Sequence, residues 1–395
     1  SNLSTLNVSK FDTSQVINMS SMFSSCTSLT SLDLSNWDVS KVIYMNSMFY
    51  NNSGLTTLTL TNWNPESLET SEYMFEDCSN VESLDLNNWK VSKLTSAIYM
   101  FHNCKAASSI NVTGWDTRSL EMVTSMFEGC NNLRTIDVTS WNTSNIYYAD
   151  YVFKDCSSLK VLDLTSWSTV AFEAMEFMFA NCSNLEVLQL GKEFAWLDGT
   201  SIVDEEGLFT GCGSLKAIIT ERQITDSANA MTLSTDTGLK TLPNAILYVL
   251  DTVSEEKYEA ATNYASELGA NRIKPILALQ GESSVAIMPG ETYTDAGVTV
   301  AGLTVTDSSI YTGLGYTVNV ASNVRENVSG TYEVTWTIYK PTTNALMSVT
   351  REVYVRYIPT APIITVTQSG TQIATGNWAN GDLVVTLSGS TYANG

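Results

Sequence analysis

The stretch Leu29–Phe49, LTSLDLSNWDVSKVIYMNSMF, decides the fold, because the N-terminal half of the chain repeats it every 26 residues. Leu29, Leu32 and Leu34 recur as Leu55/Leu58/Leu60, Val81/Leu84/Leu86, Ala107/Ile110/Val112, Leu133/Ile136/Val138, Leu159/Leu162/Leu164 and Leu185/Leu188/Leu190. Trp37 recurs as Trp63, Trp89, Trp115, Trp141 and Trp167, with Phe11 in the same column. Met48-Phe49 recurs as Met22-Phe23, Met74-Phe75, Met100-Phe101, Met126-Phe127, Val152-Phe153, Met178-Phe179 and Leu208-Phe209. Three residues after these phenylalanines stand Cys26, Cys78, Cys104, Cys130, Cys156, Cys182 and Cys212, while Asn52 fills the slot after Phe49. Independent columns that agree on one period define a stacked repeat unit.

The L-x-x-L-x-L spacing is that of a leucine-rich repeat. Its alternating part predicts a short strand with the leucines turned inward. Val42, Met45, Met48 and Phe49, spaced by three and four, predict a turn or two of helix on the other side of each coil. One unit cannot bury its apolar face alone, so the coils must stack, with each phenylalanine packed on those above and below. The expected fold class is therefore a leucine-rich-repeat solenoid of short parallel strands plus short helices. The cysteine column reads as buried, reduced thiols, since Cys behaves as a small hydrophobe and an Asn/Cys exchange suits a buried ladder position. Two alternatives stand beside it. A disulfide would have to join stacked, co-directional side chains, which is poor geometry, and a metal site lacks the C-x-x-C pairs typical of zinc.

Leu3, Leu6, Val8 and Phe11 repeat the strand columns one period before Leu29, so residue 1 falls just before a strand without a cap, and further N-terminal chain is expected. At the other end the spacing to Cys212 stretches to 30 and Glu193 takes the aromatic slot, while Leu215 and Ile218 keep the strand columns, giving nine expected strands. The solenoid is placed at 1–220 and a C-terminal capping unit at 221–276. In that unit Ile246–Leu250 and Ile273–Leu277 read as strands and Ser254–Leu268 as a helix capped by Ser254. From 277 the composition turns to Val, Thr, Tyr and Gly. Gly297–Val300, Gly315–Val320, Thr331–Tyr339 and Arg351–Tyr357 read as strands of an antiparallel β-sandwich over 277–358. Thr360-Ala361-Pro362 reads as a linker, and 359–395 as the start of a further β-rich module.

The 395 residues include 41 acidic and 20 basic ones, for a formal net charge of −21. Such a surface repels phosphate backbones and anionic lipid heads, so nucleic acid is not an expected partner. No apolar run is long enough to span a bilayer, and the first residues carry no signal segment.

The repeat, with its M-F-x-x-C and L-D-L-x-x-W elements, resembles BspA-like leucine-rich-repeat surface proteins over roughly residues 1–275, with NAILYVLDTVSEEKYEAA and NRIKPI as the end unit. Residues 277–358, with GETYTDAGV, SGTYEVTWTIY and TREVYV, resemble bacterial immunoglobulin-like modules. The layout is internalin-like, as on Gram-positive surfaces. The resemblance implies an extracellular, cell-surface location and a non-catalytic role in adhesion, with a host or bacterial surface protein or glycan as partner. The alternative is a spacer that holds another domain away from the cell.

Little in the sequence suggests catalysis. The single histidine, His102, shares its slot with Ser24, Tyr50, Glu76, Glu128, Lys154 and Ala180 and is expected to be exposed and without a role. Asp204-Glu205-Glu206 offers paired carboxylates of the kind glycosidases use, but on a loop. No phosphate-cradling glycine motif occurs and no cofactor or metal is expected. The candidate ligand face is the outward side of the strands, where Asp33, Asp85, Asn111, Asp137 and Asp163 share a column with Thr59 and Gln189. Flanking columns are Ser35/Thr61/Asn87/Thr113/Thr139/Thr165 and Ser31/Thr57/Ser83/Ser109/Thr135/Val161/Val187. That face is polar and poor in the Trp, Tyr and Arg that dominate binding hot spots. It is equally readable as a solvated sheet of strand-forming threonines.

Overall fold

The computed structural model of the chain describes residues 3–87, 89–194, 206–222, 242, 244–250, 256, 272–305, 310–311, 316–340, 345–356, 363–368, 371–372 and 383–388. The chain divides into two compact units, with the boundary between Ile276 and Leu277.

The first unit is a parallel-strand solenoid. Its strands are β1 (Ser31–Asp33), β2 (Thr57–Thr59), β3 (Ser83–Asp85), β4 (Ser109–Asn111), β5 (Val161–Leu164), β6 (Val187–Leu190) and β7 (Ala217–Thr220), one per repeat. β8 (Ile246–Val249) and β9 (Ile273–Pro275) continue the stack in parallel beyond the periodic region. Leu32 pairs with Leu58, Leu84 with Ile110 and Leu162 with Leu188, in the register set by the 26-residue period. Nine periodic strands were expected. The segments around Leu6 and Ile136 follow the coil without forming one, although both residues pack against the core. The ladder also lapses between β2 and β3, so the solenoid sheet is divided into β1-β2, β3-β4 and β5 to β9.

The expected short helices are absent from the repeats among the described residues, and the backbone shows why. Ser47 and Asn51 have φ of 56° and 54°, and left-handed residues recur at the matching positions of the other coils, for example Tyr73 and Asp77, Tyr99 and Asn103, Tyr151 and Asp155. A left-handed residue every fourth position cannot belong to a right-handed helix. Alternate N–H groups instead donate to the next coil: Ser47 to Glu72 at 2.8 Å, Phe49 to Met74 at 2.8 Å, Asn51 to Glu76 at 2.8 Å. The segment is a run of tight turns stacked into a ladder. Its spacing of three and four mimics a helix because turns also return every third or fourth side chain to one side. The second left-handed column holds Ser25, Asn51, Asp77, Asn103, Gly129, Asp155, Asn181 and Gly211, mostly residues that tolerate this conformation. A third ladder of single bridges runs through Asn18, Tyr44, Thr70, Ser96, Met122, Tyr148 and Ala174.

The interior is columnar. Consecutive phenylalanines from Phe23 to Phe209 stack with ring centroids 5.3–6.3 Å apart. Trp63, Trp89, Trp115, Trp141 and Trp167 stack at 6.0–6.1 Å. Such pairs add about 0.5–1.5 kcal/mol each beyond their area burial. Coils also approach closely at backbone level: a Cβ on Gly54 would lie 2.1 Å from the Thr27 carbonyl oxygen, so this corner admits no side chain. The expected helix Ser254–Leu268 lies, apart from Glu256, outside the described residues, as do Asp204, Glu205 and the segment 360–362.

The second unit is β-rich. Its strands are β10 (Leu277–Leu279), β11 (Ser284–Ile287), β12 (Val298–Val300), β13 (Leu303–Val305), β14 (Ile310–Tyr311), β15 (Tyr316–Ser322), β16 (Gly330–Tyr339), β17 (Ala345–Val355), β18 (Ile363–Gln368), β19 (Thr371–Gln372) and β20 (Leu383–Ser388). They form sheets of order β10-β12-β13, β11-β17-β16-β15-β14 and β19-β18-β20. Where the sequence predicts antiparallel pairing, β11 runs parallel to β17. β11 was not among the expected strands. Val334, Trp336, Ile338, Val353 and Val355 line the buried side of the five-stranded sheet. Arg351 is 1% exposed. It is ion-paired to Asp295 at 2.7 Å and donates to the carbonyl oxygens of Gln280 and Glu282. The indole of Trp336 and the hydroxyl of Tyr293 also reach Asp295.

Candidate functional site

Four of the five candidate residues of the strand face lie on paired strands, where Asp33, Asp85 and Asp163 sit opposite Thr59, Asn111 and Gln189 in register; Asp137 lies on a coil that forms no strand. The side chains of all five, however, close the turn that follows. Oδ1 of Asp33 accepts from the Ser35 N–H at 2.9 Å, and that of Asn111 from the Thr113 N–H at 3.2 Å. Asp137 and Asp163 accept from both backbone and hydroxyl of Thr139 and Thr165. Asp85 accepts from the Asn87 N–H and from Nδ2 of Asn111 at 2.8 Å. These are Asx turns, the reason Asp and Asn are favoured before a chain reversal. The Ser35 bonds hold the Asp33 carboxyl below its usual range. Gln189 is covered, at 2% exposure.

Between β2 and β3 this face opens into a cleft of about 190 Å³ bounded by Leu58, Thr59, Thr61, Asp85, Trp63 and Trp89. That is smaller than the roughly 300–1,000 Å³ of ordinary small-molecule pockets. The indole N–H of Trp89 is buried there without an acceptor among the described residues.

A different face carries the aromatic side chains that the strand face lacks. Tyr44, Tyr73, Tyr147 and Tyr148 are exposed on the bridge and turn ladders. Tyr73 stacks on Tyr99 at 5.3 Å and Tyr151 on Phe177 at 5.6 Å. Tyr73, Tyr99, Tyr151 and Phe177 all have φ between 49° and 60°, an unusual conformation for bulky residues. It is held by backbone bonds to the next coil, such as the Tyr73 N–H to Ile98 and the Tyr151 N–H to Glu176. The rings are thus carried on fixed backbone.

His102 belongs to this face and is half-buried, a correction to its expected exposure. Its Nδ1 lies 2.9 Å from Oε1 of Glu76 and its ring meets Tyr99 edge-on at 5.1 Å. Its slot accepts many residue types because neighbouring coils pair them: two coils on, Lys154 bonds Glu128 at 2.8 Å and lies over the Tyr151 ring. Burial raises the Glu76 carboxyl against the pull of His102. Burial, aided by Glu176, pushes the Tyr151 hydroxyl up to about 12. Tyr73, Tyr99 and Tyr151 share one slot of the 26-residue period, interrupted by Ser125, but a helical reading of that segment does not reveal which side they face.

The cysteine column is interior. All seven thiols are free, and six of them are fully covered. Burial pushes Cys78, Cys130 and Cys212 up to about 12 and the thiols of Cys104, Cys156 and Cys182 well above the usual range. A thiol kept protonated is neither nucleophile nor metal ligand. No cluster of metal-ligating side chains occurs among the described residues. No helix among them is long and apolar enough to cross a membrane.

A family model described as "Mycoplasma protein of unknown function, DUF285" matches residues 1–110 and again 99–222, together more than half of the chain. The chain belongs to this DUF285 family. The two matches overlap at 99–110 within the solenoid, as expected when one model spans several similar coils. No curated protein and no solved structure matches the chain.

Proposed function

We propose that this DUF285 chain is a non-catalytic bacterial cell-surface protein that binds a protein or glycan ligand through the tyrosine-bearing turn face of its solenoid. The observation that carries the proposal is the set of exposed and half-buried tyrosines, Tyr44, Tyr73, Tyr99, Tyr147, Tyr148 and Tyr151, on the turn and bridge ladders. Tyrosine supplies large, amphipathic contact area at low entropic cost, and an ordered array of weak sites gains by multivalency. The strand face is the weaker candidate, since its acidic side chains are already engaged in turns. In this reading the solenoid is of the leucine-rich-repeat class, supported by the L-x-x-L-x-L columns. The second unit is immunoglobulin-like, a reading supported by its five-stranded, mostly antiparallel sheet with Trp336 buried on one side.

The test is binding of the full chain to arrays of host-cell, matrix and glycan ligands, compared with the Tyr73→Ala/Tyr99→Ala double variant and with Asp33→Asn/Asp163→Asn. The tyrosine variant is expected to lose at least about tenfold in affinity, on the scale of aromatic hot spots, and the aspartate variant little. Undiminished binding by the tyrosine variant refutes the assignment. The second reading, a spacer, draws on the unbroken phenylalanine column from Phe23 to Phe209, which makes the coil stack stiff. Silence of the full chain on every array favours it.

A further inference from the structure

Basic side chains are scarce here, and several of those on the solenoid surface are answered by a carboxylate on the same or the next coil: Lys90 by Glu66, Arg118 by Asp116, Lys154 by Glu128, Lys216 by Glu186. Arg134 and Lys160 are set apart by lying together on one groove. They occupy the same slot of successive coils, whose backbones are joined by the Ser158 N–H bond to the Asn131 carbonyl at 3.1 Å. Both are exposed, and neither has an ion-pair partner among the described residues. They bound a groove of about 470 Å³ completed by Thr135, Ser158, Val161 and Asn184. The lining is two cations, two hydroxyls, an amide and an apolar side chain, with no carboxylate. The next acid in the same column, Glu186, is bonded to Lys216 at 2.5 Å and also feels the charge of Lys160, without forming an ion pair with it.

We propose that this groove binds the acidic terminus of an oligosaccharide, one sugar bearing a single carboxylate or sulfate. An Arg guanidinium beside a Lys ammonium suits one oxyanion, the first as a fork and the second as a point charge. The volume falls within the range of small-ligand sites. The hydroxyls of Thr135 and Ser158 and the amide of Asn184 suit sugar hydroxyls, and Val161 a sugar ring face. The ligand must be sparsely charged. A polyanion would lay many charges along a chain of net charge −21, with only two cations to offset them. The choice of a glycan rests on the ligand-binding reading above, but the groove lies apart from the tyrosine face and is tested separately.

The experiment is NMR titration of the full chain with sialyllactose (one carboxylate), lactose 3′-sulfate (one sulfate), neutral lactose, a heparin oligosaccharide and an acidic peptide. At least one singly charged sugar is expected to bind about tenfold or more tighter than lactose, and the preference between the two identifies the group. Its affinity should fall roughly threefold between 50 and 200 mM salt, as for about one neutralised charge. Arg134→Gln and Lys160→Gln, both surface changes checked for an unaltered melting temperature, should each weaken it about five- to tenfold. Tyr73→Ala/Tyr99→Ala should leave it unchanged. Equal binding of lactose, full binding by both Gln variants, or tighter binding of heparin or the acidic peptide overturns the proposal. Loss only in the tyrosine variant also overturns it, while leaving the tyrosine face standing.

Discussion

The thiol of Cys104 donates to the carbonyl oxygen of Phe75, one coil earlier, at 3.2 Å. The same bond recurs from Cys78 to Phe49, Cys130 to Phe101, Cys156 to Phe127 and Cys182 to Phe153. One coil before Cys78, Nδ2 of Asn52 takes over the role, reaching the carbonyls of Phe23 and Phe49 at 2.9 and 2.8 Å. The column is a chain of donors that ties each turn to the turn below.

Asn52 performs this task at a cost, because its Oδ1 is buried without a partner. Asn52→Cys should therefore be neutral or stabilising by up to ~1 kcal/mol, the scale of one unsatisfied polar atom. Cys104→Ala, which removes a donor and leaves a small void, should destabilise by about 1–2 kcal/mol. Urea unfolding of the full chain, followed by tryptophan fluorescence, checks both signs.

The buried thiols also set a pH dependence. Cys78 is shifted from 9.0 to about 12 by burial. Above pH 9 the unfolded chain releases thiol protons that the folded chain keeps, so the unfolded state binds fewer protons and stability falls as pH rises. The thiol contribution is complete below pH 9 and is withdrawn between 9 and 12, at about 1.4 kcal/mol per pH unit for each thiol. Tyrosines add a similar trend at higher pH, so the discriminating measurement is Cys104→Ala against the parent chain. Its urea midpoint should decline less steeply between pH 9 and 10.5, and parallel slopes would count against buried thiols.

Indole bonding is shortest where strands pair; Trp37 and Trp167, each next to a coil without a strand, reach the carbonyls of Val8 and Val138 at only 3.3 and 3.4 Å. Where β1 pairs with β2 and β3 with β4, the indole N–H groups of Trp63 and Trp115 reach the carbonyls of Leu34 and Leu86 at 2.9 Å. Where pairing lapses, between β2 and β3 and beyond β4, those of Trp89 and Trp141 have no acceptor among the described residues. Trp63→Phe should consequently cost about 1–2 kcal/mol more than Trp89→Phe, since the first strands a buried carbonyl and the second removes an unsatisfied donor. Equal losses in chemical denaturation would show that the lapse is not energetically real.

In the second unit, Arg351→Met should destabilise by roughly 3–5 kcal/mol, because Asp295 would be left as an uncompensated, mostly buried charge. Replacing both residues at once, Asp295→Leu with Arg351→Met, should restore part of that loss. Calorimetry of the full chain should place the change in a transition other than that of the solenoid, whose core contains neither residue.

Much of the fold was legible in the residues alone. The period, the strand register, the inward leucines and the Phe, Trp and Cys columns follow because stacking identical coils places residues 26 apart in contact, so a column of one residue type needs only itself as neighbour. The conformation of the Met-Phe segment was not legible. Turns and a short helix share the three-and-four spacing, and the N–H partners separate them: alternate N–H groups donate to the next coil and those between donate three residues back, where a helix would donate four residues back throughout. That difference in turn decided which side the tyrosines face, that His102 is half-buried against Glu76, and that the strand-face aspartates cap turns. Sequence by itself determined what stacks on what. Tertiary structure alone decided what remains outside, because exposure depends on backbone direction at each turn, and local periodicity does not encode it.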